Sequence, residues 1–284
     1  MKKINDYILK TKKMLMKLFK IIRRQEMRIL PGQIAYFLIL SIFPLITICG
    51  LFMSLFNISF YSVLQFASEI LPEQVMNILE PYLSSNITTN VLLTVVIGFL
   101  LASNGPHSII VAADTLYDIK GQNFFRTRIK SIFMTMILLV VFVIMVVGLA
   151  FGNTIIRSLL DFGMFENIGI QLYNIYLLFK WPFAFLLIFL CVKLLYTMAP
   201  DKQIPSSHVN KGAGFTTICW TIVTLIYSFY INNFSNYDLF YGSLANIIIL
   251  MMWVYIISYI LVIGIAINSD VYKKEKIVTD KVKK

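Results

Sequence analysis

The run 34–56, IAYFLILSIFPLITICGLFMSLF, holds 23 residues without one charge. As a helix rising 1.5 Å per residue it covers about 34 Å, enough to cross a hydrocarbon layer about 30 Å thick. Working outward, four more stretches are uncharged over similar lengths: 91–113, 132–156, 212–234 and 244–267. A sixth, 176–198, carries Lys180 near one end and Lys193 near the other. The pattern predicts an all-α fold: a polytopic helical membrane protein with six transmembrane helices. Composition agrees. Of 284 residues 58% are hydrophobic and 14% charged, and mean hydropathy is +0.79. A soluble domain carries roughly a quarter charged residues, so a soluble enzyme, a disordered chain and a coiled coil are excluded.

The net charge of +11 could mark nucleic acid or anionic lipid, and its position along the chain decides. Of 25 Lys and Arg, 22 fall before the first span, in the 2–3 and 4–5 connections, or after the last span. The opposite face holds only Arg157 and Lys180, against six acidic residues. Excess Lys and Arg mark the cytoplasmic side, so both termini are expected inside, and an even number of spans requires the same. No nucleic-acid partner is needed to explain the charge. The expected location is the cytoplasmic membrane.

Three regions follow: residues 1–30, a membrane domain over 31–269, and a basic cytoplasmic tail over 270–284. Between residues 4 and 29 apolar positions recur every three to four residues. Lys10, Lys13, Lys17, Lys20 and Arg24 recur on the opposite face. A basic amphipathic helix beside a span lies in the interface, so these five are expected to meet anionic headgroups of the inner leaflet. Pro31-Gly32 is expected to break this helix and turn the chain into the bilayer. The first outer loop, 57–90, lacks Lys and Arg, and its apolar spacing suggests short outer-face helices.

Polar residues inside the spans are the candidate functional positions. The second span is interrupted at its middle by Ser103-Asn104-Gly105-Pro106-His107, where proline removes a backbone donor. Broken helices at that depth mark substrate sites in many transporters. A kink satisfied by neighbouring helices is the equally weighted alternative. His107 and Asp114 share one helical face. Lys193 is explained by snorkelling. Cys49, Cys191 and Cys219 show neither disulfide nor metal spacing, and no nuclease, hydrolase or nucleotide-binding motif is present. A metal or cofactor is therefore not expected, nor is enzymatic activity.

Several stretches together resemble the YihY/BrkB family of six-span bacterial inner-membrane proteins. The opening Ala35-Tyr36-Phe37-Leu38-Ile39-Leu40-Ser41-Ile42-Phe43-Pro44 is similar to that family's AYxxLxSxFP. The most specific stretch is Phe229-Tyr230, Asn233-Phe234, Tyr237 and Tyr241-Gly242-Ser243-Leu244, followed by Trp253-Val254-Tyr255, Gly264 and Asn268. Two positions depart: Ala266 stands where the family usually has an acid, and Asp114 where it commonly has Asn. The resemblance implies the six-span fold, an old ribonuclease label and a link to virulence and serum resistance. The leading expectation is translocation of a lipid-like or envelope-related substrate. Ser41, Pro44, Asn104, His107, Asp114, Tyr230, Tyr241, Gly242 and Asn268 are the candidates to line the path. The alternative is an envelope-organising interaction protein, with a membrane ribonuclease a distant third. Expected partners are membrane lipids, with a homo-oligomer as a further candidate.

Overall fold

The computed structural model describes residues 12, 16, 18–55, 91–119, 123–150, 166–234 and 244–282. Among them every regular element is helical. Seven helices follow one another: α1 (Glu26–Leu55), α2 (Val91–Ala102), α3 (Asn104–Tyr117), α4 (Phe124–Ala150), α5 (Glu166–Met198), α6 (Ser206–Phe234) and α7 (Ala245–Val282). Five stretches among the described residues are long and apolar enough to cross a membrane: Val96–Tyr117, Phe124–Met145, Leu178–Met198, Ser206–Ile231 and Ala245–Glu275. The first expected span, 34–56, falls on α1, which is 30 residues long. Residue 56 and several α1 side chains lie outside the described residues, as does the whole of the first outer loop.

The helices are apolar all round, as helices solvated by lipid must be. On α4 the side chains of Phe133, Met136, Val140 and Ile144 are exposed at helical spacing, and on α6 those of Ile218, Ile222, Leu225 and Phe229. The protein interior gathers around α3 and α7. Ile109, Ile110, Ala112, Ala113 and Leu116 of α3 pack with Leu261, Val262, Ile265 and Ala266 of α7, and with Tyr196 and Val209 from the intervening helices. Small residues let α6 and α7 approach closely. A Cβ on Gly212 would collide with the Gly264 carbonyl and Asn268, and one on Gly264 with the Tyr196 and Thr216 oxygens.

Two expectations are corrected at the N-terminal end. The chain does not break at Pro31-Gly32; both lie inside α1. The break is the turn at Arg23–Gln25, followed by short-range bonds from Met27 N to the Arg24 carbonyl (3.2 Å) and Arg28 N to the Gln25 carbonyl (3.1 Å). Packing overrides proline here, since Met27, Leu30, Pro31 and Ile34 form one buried face. The amphipathic segment, helical over 18–22, does not lie wholly on the membrane, because Ile21 is fully enclosed and Leu18 packs on the same cluster. Lys10, Lys13 and Lys17 lie outside the described residues, and Lys20 is exposed. The basic segment expected to follow the last span continues α7 as one 38-residue helix to Val282.

Candidate functional site

The second span is divided. α2 ends at Ala102, Ser103 forms a turn, and α3 starts at Asn104. Pro106 explains the position, since it has no N–H for the Ala102 carbonyl and its ring crowds the preceding turn. Placing the break three residues earlier puts Pro106 in the first turn of α3, where its lost donor costs least.

The freed backbone groups are met by side chains from two neighbours. Ser41 of α1 inserts its hydroxyl into the ladder. It accepts from Gly105 N (3.0 Å), stands 3.4 Å from the Leu101 carbonyl, and donates to its own Phe37 carbonyl (2.7 Å). In an unbroken helix Gly105 N would bond Leu101, so the hydroxyl occupies the missing link. Gly105 permits this, because a Cβ there would stand 3.0 Å from Leu38 and 3.3 Å from the Ser41 oxygen. From the other side Arg128 of α4 donates to the Asn104 amide oxygen (2.8 Å) and to the Leu100 carbonyl (2.7 Å). The Leu100 carbonyl also accepts from Ser103 Oγ (2.8 Å). A guanidinium on the last carbonyls of α2 suits the negative end of that helix. His107 is half-buried, with its ring edge-on to Phe124 at 6.3 Å. Phe124 and Arg128 are the first and fifth residues of α4. The break therefore lies beside the basic start of α4.

α3 ends in a Schellman cap. Asp118 is left-handed, with φ 54°, its N–H reaches the Thr115 carbonyl (3.3 Å), and Ile119 N reaches the Asp114 carbonyl (2.9 Å). The leftover Leu116 carbonyl accepts from Ser269 Oγ (2.6 Å) and Lys273 Nζ (3.0 Å) of α7, and Lys273 also pairs with the Asp118 carboxylate. Asp114 is buried and accepts from the Asp201 backbone N (2.8 Å) in the α5–α6 connection. Lys130 of α4 spends its three donors on the Ala199 carbonyl (2.9 Å), the Pro200 carbonyl (2.8 Å) and Asp201 (2.6 Å). Arg24 pairs with Asp270 of α7 at 2.7 Å. His208 pairs with Glu275, and Tyr272 packs between Tyr117 and His208.

Of the sequence candidates, the structure brings Ser41, Asn104 and His107 together at the break. Asp114 sits near the far end of α3, held by the neighbouring connection. Asn268 belongs to another cluster: its amide oxygen accepts from Gly212 N (2.7 Å), while Nδ2 has no partner among the described residues. Beside it Tyr196 donates to the Leu261 carbonyl (2.9 Å) and accepts from Thr216 (2.6 Å). Pro44 is half-buried, and Tyr230 is 46% exposed on α6 beside Ile226 and Phe229, facing away from this interior. Tyr241 and Gly242 lie outside the described residues. Sequence reasoning missed Arg128, Lys130 and Lys273, because it read the cations of the connections and of the tail only as a sign of orientation.

A family profile described as "Virulence factor BrkB" matches residues 18–284. The ribonuclease-like protein YfkH of Bacillus subtilis is 28% identical over 251 residues, covering 87% of this chain and 90% of its own length. A UPF0761 membrane protein of Actinobacillus pleuropneumoniae is 29% identical over 52% of this chain and 54% of its own. Another from Vibrio campbellii is 34% identical over 36% of this chain and 32% of its own. No solved structure matches.

Proposed function

From the premise that this chain belongs to the virulence factor BrkB family, we propose that it translocates a lipid-like or envelope-related substrate across the bacterial cytoplasmic membrane. In this reading both termini are cytoplasmic and the break between α2 and α3 is the working site. The observation that carries it is a span divided into a 12-residue and a 14-residue helix, with its polar joint beside exposed apolar side chains. α3 is tied at both ends by side-chain hydrogen bonds to α1, α4, the α5–α6 connection and α7. The N-terminal lysines Lys10, Lys13, Lys17 and Lys20 would hold the arm to the anionic inner leaflet.

A second reading has its own support. The Ser41 hydroxyl and the tight approach at Gly105 leave one side of the break filled by protein, which suits a non-transporting, envelope-organising protein. The name of the Bacillus relative suggests ribonuclease activity. A guanidinium, an amide and an imidazole among exposed apolar side chains are better suited to holding an amphiphile than to cleaving a polynucleotide. The test is reconstitution into liposomes containing fluorescently labelled lipids, with a membrane-impermeant quencher added outside. Translocation predicts protein-dependent loss of the inner-leaflet signal. A protected fraction equal to that of protein-free liposomes would leave the organising role.

A further inference from the structure

The cations tied into this network are of two kinds. Arg24, Lys130 and Lys273 each pair with a carboxylate, that of Asp270, Asp201 and Asp118 respectively. Arg128 does not: among the described residues its guanidinium meets only neutral oxygens, on Asn104 and Leu100. Two of its five N–H donors are used there, which leaves three for a ligand. His107 lies one turn along α3 from Asn104 and within reach of the same charge. Its ring nitrogens have no hydrogen-bond partner among the described residues.

The surroundings say what kind of anion fits. Leu100 and Leu101 at the end of α2 are exposed, and so are Phe124 and Phe125 at the start of α4, the last by 74%. In a chain that spans a membrane these side chains face acyl chains and the base of the headgroup layer. An uncompensated guanidinium ringed by lipid-facing side chains matches an amphiphile with one negative head and apolar tails. The planar fork of arginine fits two phosphate oxygens at once.

We propose that Arg128, with Asn104 holding its guanidinium and His107 adding a donor, binds the phosphate of an anionic membrane lipid whose tails lie over Leu100, Leu101 and Phe125. The proposal rests on the translocation reading and names the substrate class of that same site. No bond is made or broken; the lipid is held by charge and hydrogen bonds.

The experiment uses the full chain purified in detergent, titrated with phosphatidylglycerol, with retained lipid counted by native mass spectrometry. Diacylglycerol and inorganic phosphate serve as separate probes of tails and of free anion. The wild-type chain should retain phosphatidylglycerol, fail to retain diacylglycerol, and keep its lipid against millimolar phosphate. R128Q should weaken retention about tenfold, the worth of one charge-assisted hydrogen bond. Because R128Q also removes two structural bonds, N104D is the sharper variant. It places a carboxylate on the guanidinium, so thermal stability should hold or rise while lipid retention falls about as far as in R128Q. K202Q, at a cation outside the site, should retain lipid as the wild type does. Unchanged retention in N104D would overturn the proposal by reducing Arg128 to a structural role. Displacement by inorganic phosphate would overturn the lipid assignment, and equal retention of diacylglycerol would overturn the role of charge. Retention that depends on Arg128 without translocation in liposomes refutes transport and leaves the site standing. Translocation indifferent to R128Q and N104D does the reverse.

Discussion

At the residue scale, two glycines on facing helices should respond oppositely to an added methyl group. Gly264→Ala drives its Cβ into the Tyr196 and Thr216 oxygens. Overpacking of that kind costs about 1–3 kcal/mol, so thermal unfolding in detergent should fall clearly. Gly214→Ala meets nothing within 4 Å and should be neutral or stabilising by about 0.5–1 kcal/mol, since alanine favours a helix interior. Ser41→Ala removes the acceptor of the buried Gly105 N–H and should cost about 1–3 kcal/mol. If Ser41→Ala left unfolding unchanged, the hydroxyl would not be bridging the ladder. Sequence motifs foretold part of this. Ser41 and Asn268 entered as candidates through the motifs that resemble the family, and both prove to serve backbone donors of a neighbouring helix. Arg128 escaped notice because a cation near a helix start looks like any other inside-positive residue until its partners are seen.

At the element scale, the division between α2 and α3 was legible in Gly105-Pro106, whereas the continuity of α1 through Pro31 was not. Both prolines remove a donor. The outcome is set by the face around each one, and Pro31 sits in a stripe whose burial only an unbroken helix preserves. The extension of α7 to Val282 was likewise hidden. Its last turns are charged, and they are held through Asp270 and Lys273 to partners far away in sequence. Those ties make α3 testable as a unit. Lys273→Met removes a donor from the Leu116 carbonyl and the partner of Asp118. Hydrogen exchange in the 114–119 segment should then speed up several-fold relative to the middle of α7. Equal protection in wild type and variant would show that apolar packing alone holds the end of α3.

At the scale of the whole molecule, the fold class could be read from the uncharged runs, because lipid imposes one length and one composition on any helix that crosses it. Neighbours were less legible. The polar break divides its span into halves of 12 and 14 residues, as counting along the chain places it, but its neighbour, the first turns of α4, depends on packing that no hydropathy window contains. Charge placement leads us to expect both termini on one face. Cysteines introduced as Lys2→Cys and Lys284→Cys should both react with an impermeant maleimide in inside-out vesicles and neither in intact cells. Reaction of either in intact cells would reverse the assignment. The central claim is that the break between α2 and α3 handles lipid, and its most direct test compares lipid translocation in liposomes holding wild-type, R128Q or K202Q protein. The account predicts protein-dependent translocation in the wild type, about tenfold slower in R128Q and unchanged in K202Q. Equal rates in wild type and R128Q, or no translocation by the wild type, would contradict it.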